Sequence, residues 1–326
     1  MTTDVRETAV ALDVAIAANG LRQRYGEFEA VRGVSLTVRR GELFALLGTN
    51  GAGKTTTMEV LEGYRPATSG TVEVLGMDPY RRRRALSPRA GIMLQENGLL
   101  SDLTVAETIG LWRDLHANPR SPDESLELAG LADKARVRVR QLSGGQKRRL
   151  DLVLSVIGRP EVLFLDEPTT GMDPEARRTT WGLIRDLVRE GTTILLTTHY
   201  LEEAEHLASR LAVMHEGEIR VEGTLEEVIG RQGDRVSFRL PPEIPLDVLP
   251  RIGGHAPTVA LVGGTPVVTY TITGGDQATR AHAALVPLFA WAAERGVTLE
   301  RLAVRTASLE DVFHSVVHKS VVKEAA

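Results

Sequence analysis

The sequence predicts an α/β protein: a mostly parallel sheet wrapped by helices, a helical subdomain inserted into it, and a small α+β domain behind it. Three observations carry that prediction. From about Ala15 to Leu225, short β-branched or apolar runs alternate with helical patterns, which is how strands joined by crossover helices read. A glycine-rich turn, Gly48 to Thr55, separates the strand-like ELFALL from the helical KTTTMEVLEG. After about Glu226 the texture changes to separate strands, a hairpin and amphipathic helices.

The elements follow in chain order. Residues 1–14 read as a flexible N-terminal segment, whose apolar stretch is preceded by acids and interrupted by Asp13, unlike a secretory signal. Residues 15–225 form the main domain, and within it 96–157 read mainly as helices (LTVAETIGLWRDLHAN, SPDESLELAGL, QKRRLDLVLSVI). Residues 226–326 form the accessory domain, with the strand DRVSFRLP, a helix near Gln277–Arg295, the strand VTLERLAV and a closing helix from Ser308 that would bury Leu309, Val312 and Phe313. The longest run without a charge, Ile252–Gly275, is long enough to cross a bilayer, but it holds three Gly-Gly pairs and two prolines. A membrane helix needs about 20 predominantly apolar residues, so this run reads instead as two strands flanking Gly263-Gly264.

Composition narrows the class. The 326 residues are 42% hydrophobic and 25% charged, with a net charge of −4. A slightly acidic chain argues against a nucleic-acid partner. With no cysteine, disulfides, thiolate zinc sites and iron–sulfur clusters are excluded, which fits a reducing cytoplasm.

The chemistry is concentrated at strand ends. GTNGAGKT matches G-x-x-x-x-G-K-[ST] between a strand and a helix, the pattern of a phosphate-binding loop. There the backbone of Gly48, Thr49, Asn50, Gly51, Ala52 and Gly53 turns its N–H groups around phosphate. Lys54 reaches the terminal phosphates, Thr55 ligates Mg²⁺, and Thr56 continues the phosphate-facing helix start. In VLFLDEPTTGMDP a buried strand ends at Asp166, the metal carboxylate, and Glu167, where Pro168 stops the strand, faces the attacking water as its base. GIMLQ ends at Gln95 and TTILLTTH at His199. Ligands of an open parallel sheet bind beyond the carboxyl ends of its strands, so all of these converge on one nucleotide. RQLSGGQKRRL adds a second phosphate-facing helix start, at Ser143, Gly144 and Gly145, that lacks a lysine or metal ligand of its own.

GTNGAGKT, LSGGQ at Leu142–Gln146, LFLDEP followed by GMDP, Gln95 and His199, in that order, resemble the ATP-binding cassette of an ABC transporter. The resemblance covers Ala15 to about Thr224, and the LSGGQ pentapeptide makes it specific. It implies a P-loop NTPase fold, with ATP and Mg²⁺ as cofactors. By the same resemblance Tyr25 stacks on adenine, Gln95 links Mg²⁺ to the membrane partner, Asp173 communicates across the dimer and His199 contacts the γ-phosphate. Ser143, Gly144, Gly145 and Gln146 contact ATP held by a partner chain, because cassettes of this family pack head to tail. One copy of each half in one chain then implies an ATP-dependent homodimer. Thr49 stands where the family often has proline, and Met172 where leucine is usual; both are changes without expected loss. TASLEDVFHSVV resembles the extension of drug-exporter ATPases of the daunorubicin-resistance type. These likenesses imply an ATPase on the inner face of the membrane, energising export through a separate transmembrane permease. The rival reading is a soluble ABC ATPase acting on ribosomes or DNA, which usually carries tandem cassettes or a long coiled coil. The basic run Tyr80–Arg89 reads as a solvated face, or as a contact with acidic headgroups or the membrane partner.

Overall fold

The computed structural model describes residues 13–93, 98–241, 243–275 and 278–324, with side chains to Val317. The chain divides into two compact units, Met1–Glu222 and Gly223–Ala326. Strands of the first part are β1 (Val14–Tyr25), β2 (Phe28–Arg39), β3 (Leu43–Gly48), β4 (Ser69–Val74), β5 (Ala90–Met93), β6 (Val162–Asp166), β7 (Thr193–Thr198), β8 (Arg210–His215) and β9 (Glu218–Thr224).

Six of these form one sheet in the order β5-β6-β7-β3-β8-β9. Its neighbours from β5 through β8 are all parallel. Every residue of β3, β6 and β7 is buried, as strands covered on both faces must be, and their sequences LFALLG, VLFLD and TILLTT are correspondingly almost without charge. Register aligns their carboxyl ends: Leu47 pairs with Thr198 and Asp166 with Thr197, so Gly48, Asp166 and Thr198 finish at one edge of the sheet.

A second sheet, antiparallel and ordered β2-β1-β4, was not part of the sequence expectation of a mostly parallel domain. Its strands bury alternate residues over long stretches, the period of a half-covered sheet, and a tight turn at Gly26 (φ 59°) joins β1 to β2. That turn sets Tyr25 and Phe28 side by side in the register. β1 begins at Val14, whose partner is Arg39, and Asp13 accepts a backbone hydrogen bond from Arg40; both residues, assigned to the N-terminal segment from sequence, are part of this fold.

Between β5 and β6 lie the helices Val105–Arg113, Pro122–Ala129 and Gly144–Val156. Each starts with a reciprocal capping box, Thr104 with Glu107, Ser121 with Glu124 and Ser143 with Gln146, which satisfies two otherwise orphaned N–H groups. Their apolar faces (Ile109, Leu126, Leu150, Leu154) share a core with Leu163 and Leu165 of β6 and Ile184 of the helix Pro174–Arg189. Glu96 and Asn97, where the sequence begins the helical subdomain, lie outside the described residues.

In the second unit β10 (Asp234–Arg239), β11 (Thr258–Val262), β12 (Thr265–Ile272) and β13 (Glu300–Arg305) form an antiparallel sheet ordered β11-β12-β10-β13. Gly263 and Gly264 close the β11–β12 hairpin at φ 59° and 81°, the pair of positive angles a type I′ turn demands. Helix Arg280–Arg295 lays Leu288, Trp291 and Ala292 on Val236, Phe238, Val268 and Tyr270. On the closing helix, Leu309 and Val312 are buried, but Phe313 is only half-buried, so the third of the anchors expected from sequence is a partial one.

Candidate active site

β3 delivers the chain into the loop Gly48–Thr55, and the loop's shape depends on glycine. Gly51 (φ 80°) and Gly53 (φ 100°) occupy the left-handed region, and a Cβ on Gly53 would lie 2.5 Å from the Ala30 carbonyl. The helix Lys54–Leu61 that follows has no side-chain cap and no acid in its first turn. Its leading N–H groups are thus left for an anion, in contrast to the side-chain-capped starts at Thr104, Ser121 and Asp173. Lys54 is buried, and its Nζ donates to the carbonyls of Gly48 (2.8 Å) and Thr49 (3.2 Å) across the loop. Burial pulls this ammonium below the usual lysine range, while the carboxylates of Glu167 and Asp166 oppose that pull.

The loop borders a cleft of about 420 Å³ lined by Tyr25, Phe28, Ala30, Asn50, Gly51, Gly53, Lys54, Thr55, Thr56, Glu59 and Glu167. One part of the wall is aromatic: Tyr25 is half-exposed and Phe28 more so, though Phe28 escaped sequence reasoning because its motif is only a hairpin. Elsewhere the lining is Lys54, the hydroxyls of Thr55 and Thr56, loop backbone and Asn50, together with the carboxylates of Glu59 and Glu167; the aromatic wall suits a flat base, and the loop N–H groups with Lys54 suit a polyanionic tail. Tyr25 also donates to Glu59 Oε2 (3.3 Å), with Arg65 stacked against its ring.

β6 brings in the carboxylates. Thr197 of β7 donates to Asp166 Oδ1, and Thr55 donates at 3.5 Å to Asp166 Oδ2. Glu167 sits at φ 48°, an unusual angle for a residue with a side chain, held by its N–H donating to the Thr197 carbonyl at 3.0 Å. Both its carboxylate oxygens are oriented: Oε1 lies 3.0 Å from His199 Nδ1 and Oε2 accepts from Thr170 at 3.1 Å. Since the carboxylate can only accept, Nδ1 carries the proton of that pair. The sequence-predicted Lys54, Thr55, Asp166, Glu167 and His199 are thereby brought together, whereas Gln95 lies outside the described residues.

The helix start at Ser143 stands apart. Ser143 Oγ accepts from the Gln146 N–H at 3.3 Å, and Gln146 Oε1 from the Ser143 N–H at 2.9 Å. None of Ser143, Gly144, Gly145 and Gln146 lines the cleft. A Cβ built on Gly144 would meet nothing within 4 Å, although a Cβ on Gly145 would press on Ala176 at 3.0 Å. Asp173 caps the helix Pro174–Arg189 by accepting from the Ala176 N–H at 2.8 Å, with Pro174 in the first turn. Arg148, inside the same stretch as the signature but unremarked in sequence, is buried and donates to the carbonyls of Asp166 (2.9 Å), Glu167 (2.9 Å) and Pro168 (3.1 Å).

A glycine loop feeding an uncapped helix start, beside a strand-end aspartate and a glutamate held by histidine, defines a P-loop nucleoside triphosphatase. The ABC transporter family model matches residues 31–170, and a model described as "ABC transporter domain-containing protein-like, C-terminal domain" matches 234–308. The chain is 39% identical over 322 residues to the "Daunorubicin resistance ATP-binding protein DrrA3" of Streptomyces coeruleorubidus, covering 96% of this chain and 99% of that one. It is 38% identical over 306 residues to the "Nod factor export ATP-binding protein I" of Paraburkholderia xenovorans, covering 92% and 96%. Among solved structures, cbiO1 from Clostridium perfringens, part of the ABC transporter complex cbiONQ, superposes with a TM-score of 0.60 at 28% identity, covering 66% of this chain and 90% of that chain. The chain belongs to the ABC transporter ATP-binding proteins, and it is an ATPase of that family. No helix among the described residues is long and apolar enough to cross a membrane.

Proposed function

We propose that this chain is the ATP-hydrolysing subunit of an ABC exporter of drugs, antibiotics or other amphipathic compounds, working as an ATP-bound homodimer on the cytoplasmic face of a separate transmembrane subunit. The exporter reading rests on the named functions of the two relatives and on the match of the second unit. One observation carries the paired arrangement: Asn50, Gly51 and Gly53–Thr56 of the phosphate loop and Glu167 of the carboxylate turn line one cleft, while the signature start Ser143–Gln146 is no part of that cleft's wall. Gly144 agrees with this. The fold leaves open space where its Cβ would be, so the missing side chain serves a surface that approaches from outside the chain.

Within one composite site, Tyr25 and Phe28 receive the adenine, the loop N–H groups and Lys54 hold the phosphates, and the partner's signature closes over the γ-phosphate. Thr55 and Asp166 offer a hydroxyl and a carboxylate oxygen 3.5 Å apart, hard donors of the kind Mg²⁺ takes while keeping most of its water. Once bound, Mg²⁺ neutralises charge on the phosphate oxygens. Glu167 takes a proton from the attacking water as its oxygen bonds to the γ-phosphorus and the bond to the ADP oxygen breaks. His199, through Nδ1, fixes the direction of that carboxylate and leaves Nε2 for the γ-phosphate.

Lys54→Ala and Ser143→Arg test the pairing. Each chain alone should be inactive, the first without phosphate charge and the second with a bulky cation in the partner's path. A mixed dimer retains one composite site with both halves intact. The expected result is labelled ATP bound by the mixture at one site per dimer, together with recovered ATPase. Mixed dimers that form by crosslinking but hold no nucleotide would refute closure in trans.

A further inference from the structure

Arg148 is the charged side chain that joins the signature helix to the catalytic turn. It sits five positions after the cap residue Ser143 on the helix Gly144–Val156, about 7 Å along the axis at the α-helical rise. The residue is 5% exposed, and its guanidinium donors reach three successive backbone carbonyls, those of Asp166, Glu167 and Pro168. Behind it Asp151, on the same helix, lies 3.7 Å from Nη1.

Two physical facts give this contact a consequence. A guanidinium is a rigid planar fork, so three bonds from it fix the position and the orientation of the turn relative to the helix. The turn is itself a poised element, because Glu167 is held at φ 48° rather than in a relaxed basin. A small displacement of the helix along its axis therefore drags the Asp166–Pro168 carbonyls with it. What can displace the helix is an anion pressed on its start, where Ser143 and Gly144 are exposed.

We propose that Arg148 is a positioning residue that couples the two half-sites carried by one chain: nucleotide held by the partner copy against Ser143–Gln146 sets the geometry of this chain's own Glu167. The proposal rests on the paired reading above. It adds a route by which occupancy of one composite site governs turnover in the other, since each chain's signature belongs to one site and its carboxylates to the second.

Arg148→Lys keeps the charge and removes the fork. The first measurement is light scattering of Glu167→Gln chains, with and without Arg148→Lys, in MgATP. Absence of a dimer in the parent overturns the paired reading, and this proposal with it. With the dimer present in both, steady-state ATPase is compared for the otherwise unaltered chain and Arg148→Lys. The expected result is unchanged half-saturation by ATP, a Hill coefficient falling to one, and kcat reduced by about ten- to a hundredfold, the scale on which small misplacements of reacting groups act. A folded Arg148→Lys dimer with parental Hill coefficient and kcat overturns the proposal while leaving the paired reading intact.

A second readout leaves Arg148 in place and holds even where the lysine variant does not fold. Isotope-labelled Lys54→Ala chains, unable to hold their own nucleotide, are mixed with excess Glu167→Gln chains and MgATP. Slower hydrogen exchange at the amides of Thr169–Met172 in the labelled chain is expected, because only its signature is engaged. Unchanged exchange in a demonstrated mixed dimer overturns the coupling.

Discussion

Replacing Glu62 by glutamine should make the protein more stable, and increasingly so as pH rises. Glu62 caps the C-terminal end of the helix Lys54–Leu61, is 5% exposed, and has an Oε1 without a hydrogen-bond partner. Burial foremost, then the charges of Asp166 and Glu59, push its carboxyl up to about 8, against partial relief from Arg83. In the unfolded chain the same group titrates near 4.5. Between those values the folded state holds a proton that the unfolded state has lost, so stability contributed at this site falls as pH rises and levels off above about 8. At roughly 1.4 kcal/mol per pH unit, the native carboxyl costs about 3 kcal/mol at pH 7 and nothing near pH 4.5.

Glutamine reproduces the neutral acid and removes that dependence. Thermal unfolding of both chains, without nucleotide and in chelator, should give matching midpoints near pH 4, below the unfolded value. By pH 7 the variant should lead by roughly 6 to 12 °C in the transition of the first unit, taking about 2 to 4 °C per kcal/mol for a unit of this size, with a larger lead at pH 8. Groups elsewhere titrate alike in the two chains and cancel in the difference. A midpoint difference that is flat with pH, or a variant less stable at pH 8, would refute the assignment of a buried, protonated Glu62.

Three other outcomes follow from the site. Glu167→Gln should bind ATP and accumulate dimer while hydrolysis falls by about 10² to 10⁴-fold, read by single-turnover release of phosphate; turnover within threefold of the parent would remove Glu167 from the role of base. Gly144→Ala should leave thermal stability unchanged or raise it by up to about 1 kcal/mol, because the added methyl meets nothing. The same change should nevertheless lower ATPase by at least about tenfold, a loss of about 1.4 kcal/mol in transition-state stabilisation; full activity would show that nothing approaches closely there. A chain ending at Thr224 should keep its ATP affinity in a titration, since no residue lining the cleft lies beyond Glu167, and any loss should fall instead on assembly with the membrane subunit proposed above.

Much of the site was legible because its signals are local. The phosphate loop, the apolar strand ending in Asp166, and the Gly263-Gly264 hairpin are each written in fewer than a dozen consecutive residues, where sterics and backbone hydrogen bonding decide the outcome. What stayed hidden is non-local. The antiparallel β2-β1-β4 sheet depends on Ser69–Val74 returning to pair with β1 across the loop and its helix. Phe28 became a cleft residue through the turn that follows Tyr25, and Phe313 looked like a core anchor but only half enters the core. In KRRL, nothing in the two arginines reveals that Arg148 goes inward while Arg149 reaches the Ala129 carbonyl.

Three buried polar groups that sequence reasoning passed over, Arg148, Thr197 and Glu203, share one target, and that bears on how the turn can work. Asp166 is held by Thr55 and Thr197, the carbonyls of Asp166 through Pro168 by Arg148, and Thr169 by the fully buried Glu203, whose Oε1 accepts from Thr169 at 2.8 Å and from Trp181 at 3.2 Å. Four separate elements thus grip four consecutive residues through hydrogen bonds. Close-packed apolar contacts resist small displacements in every direction, and an interior held that way transmits strain without switching. Directional bonds to a strained backbone instead favour a few discrete arrangements, each fully bonded, because a half-made buried bond is expensive. A turn with that construction can respond to a shift of one gripping helix by moving as a unit. This is the behaviour that the proposed role of Glu167, a base aligned only when nucleotide is enclosed, requires.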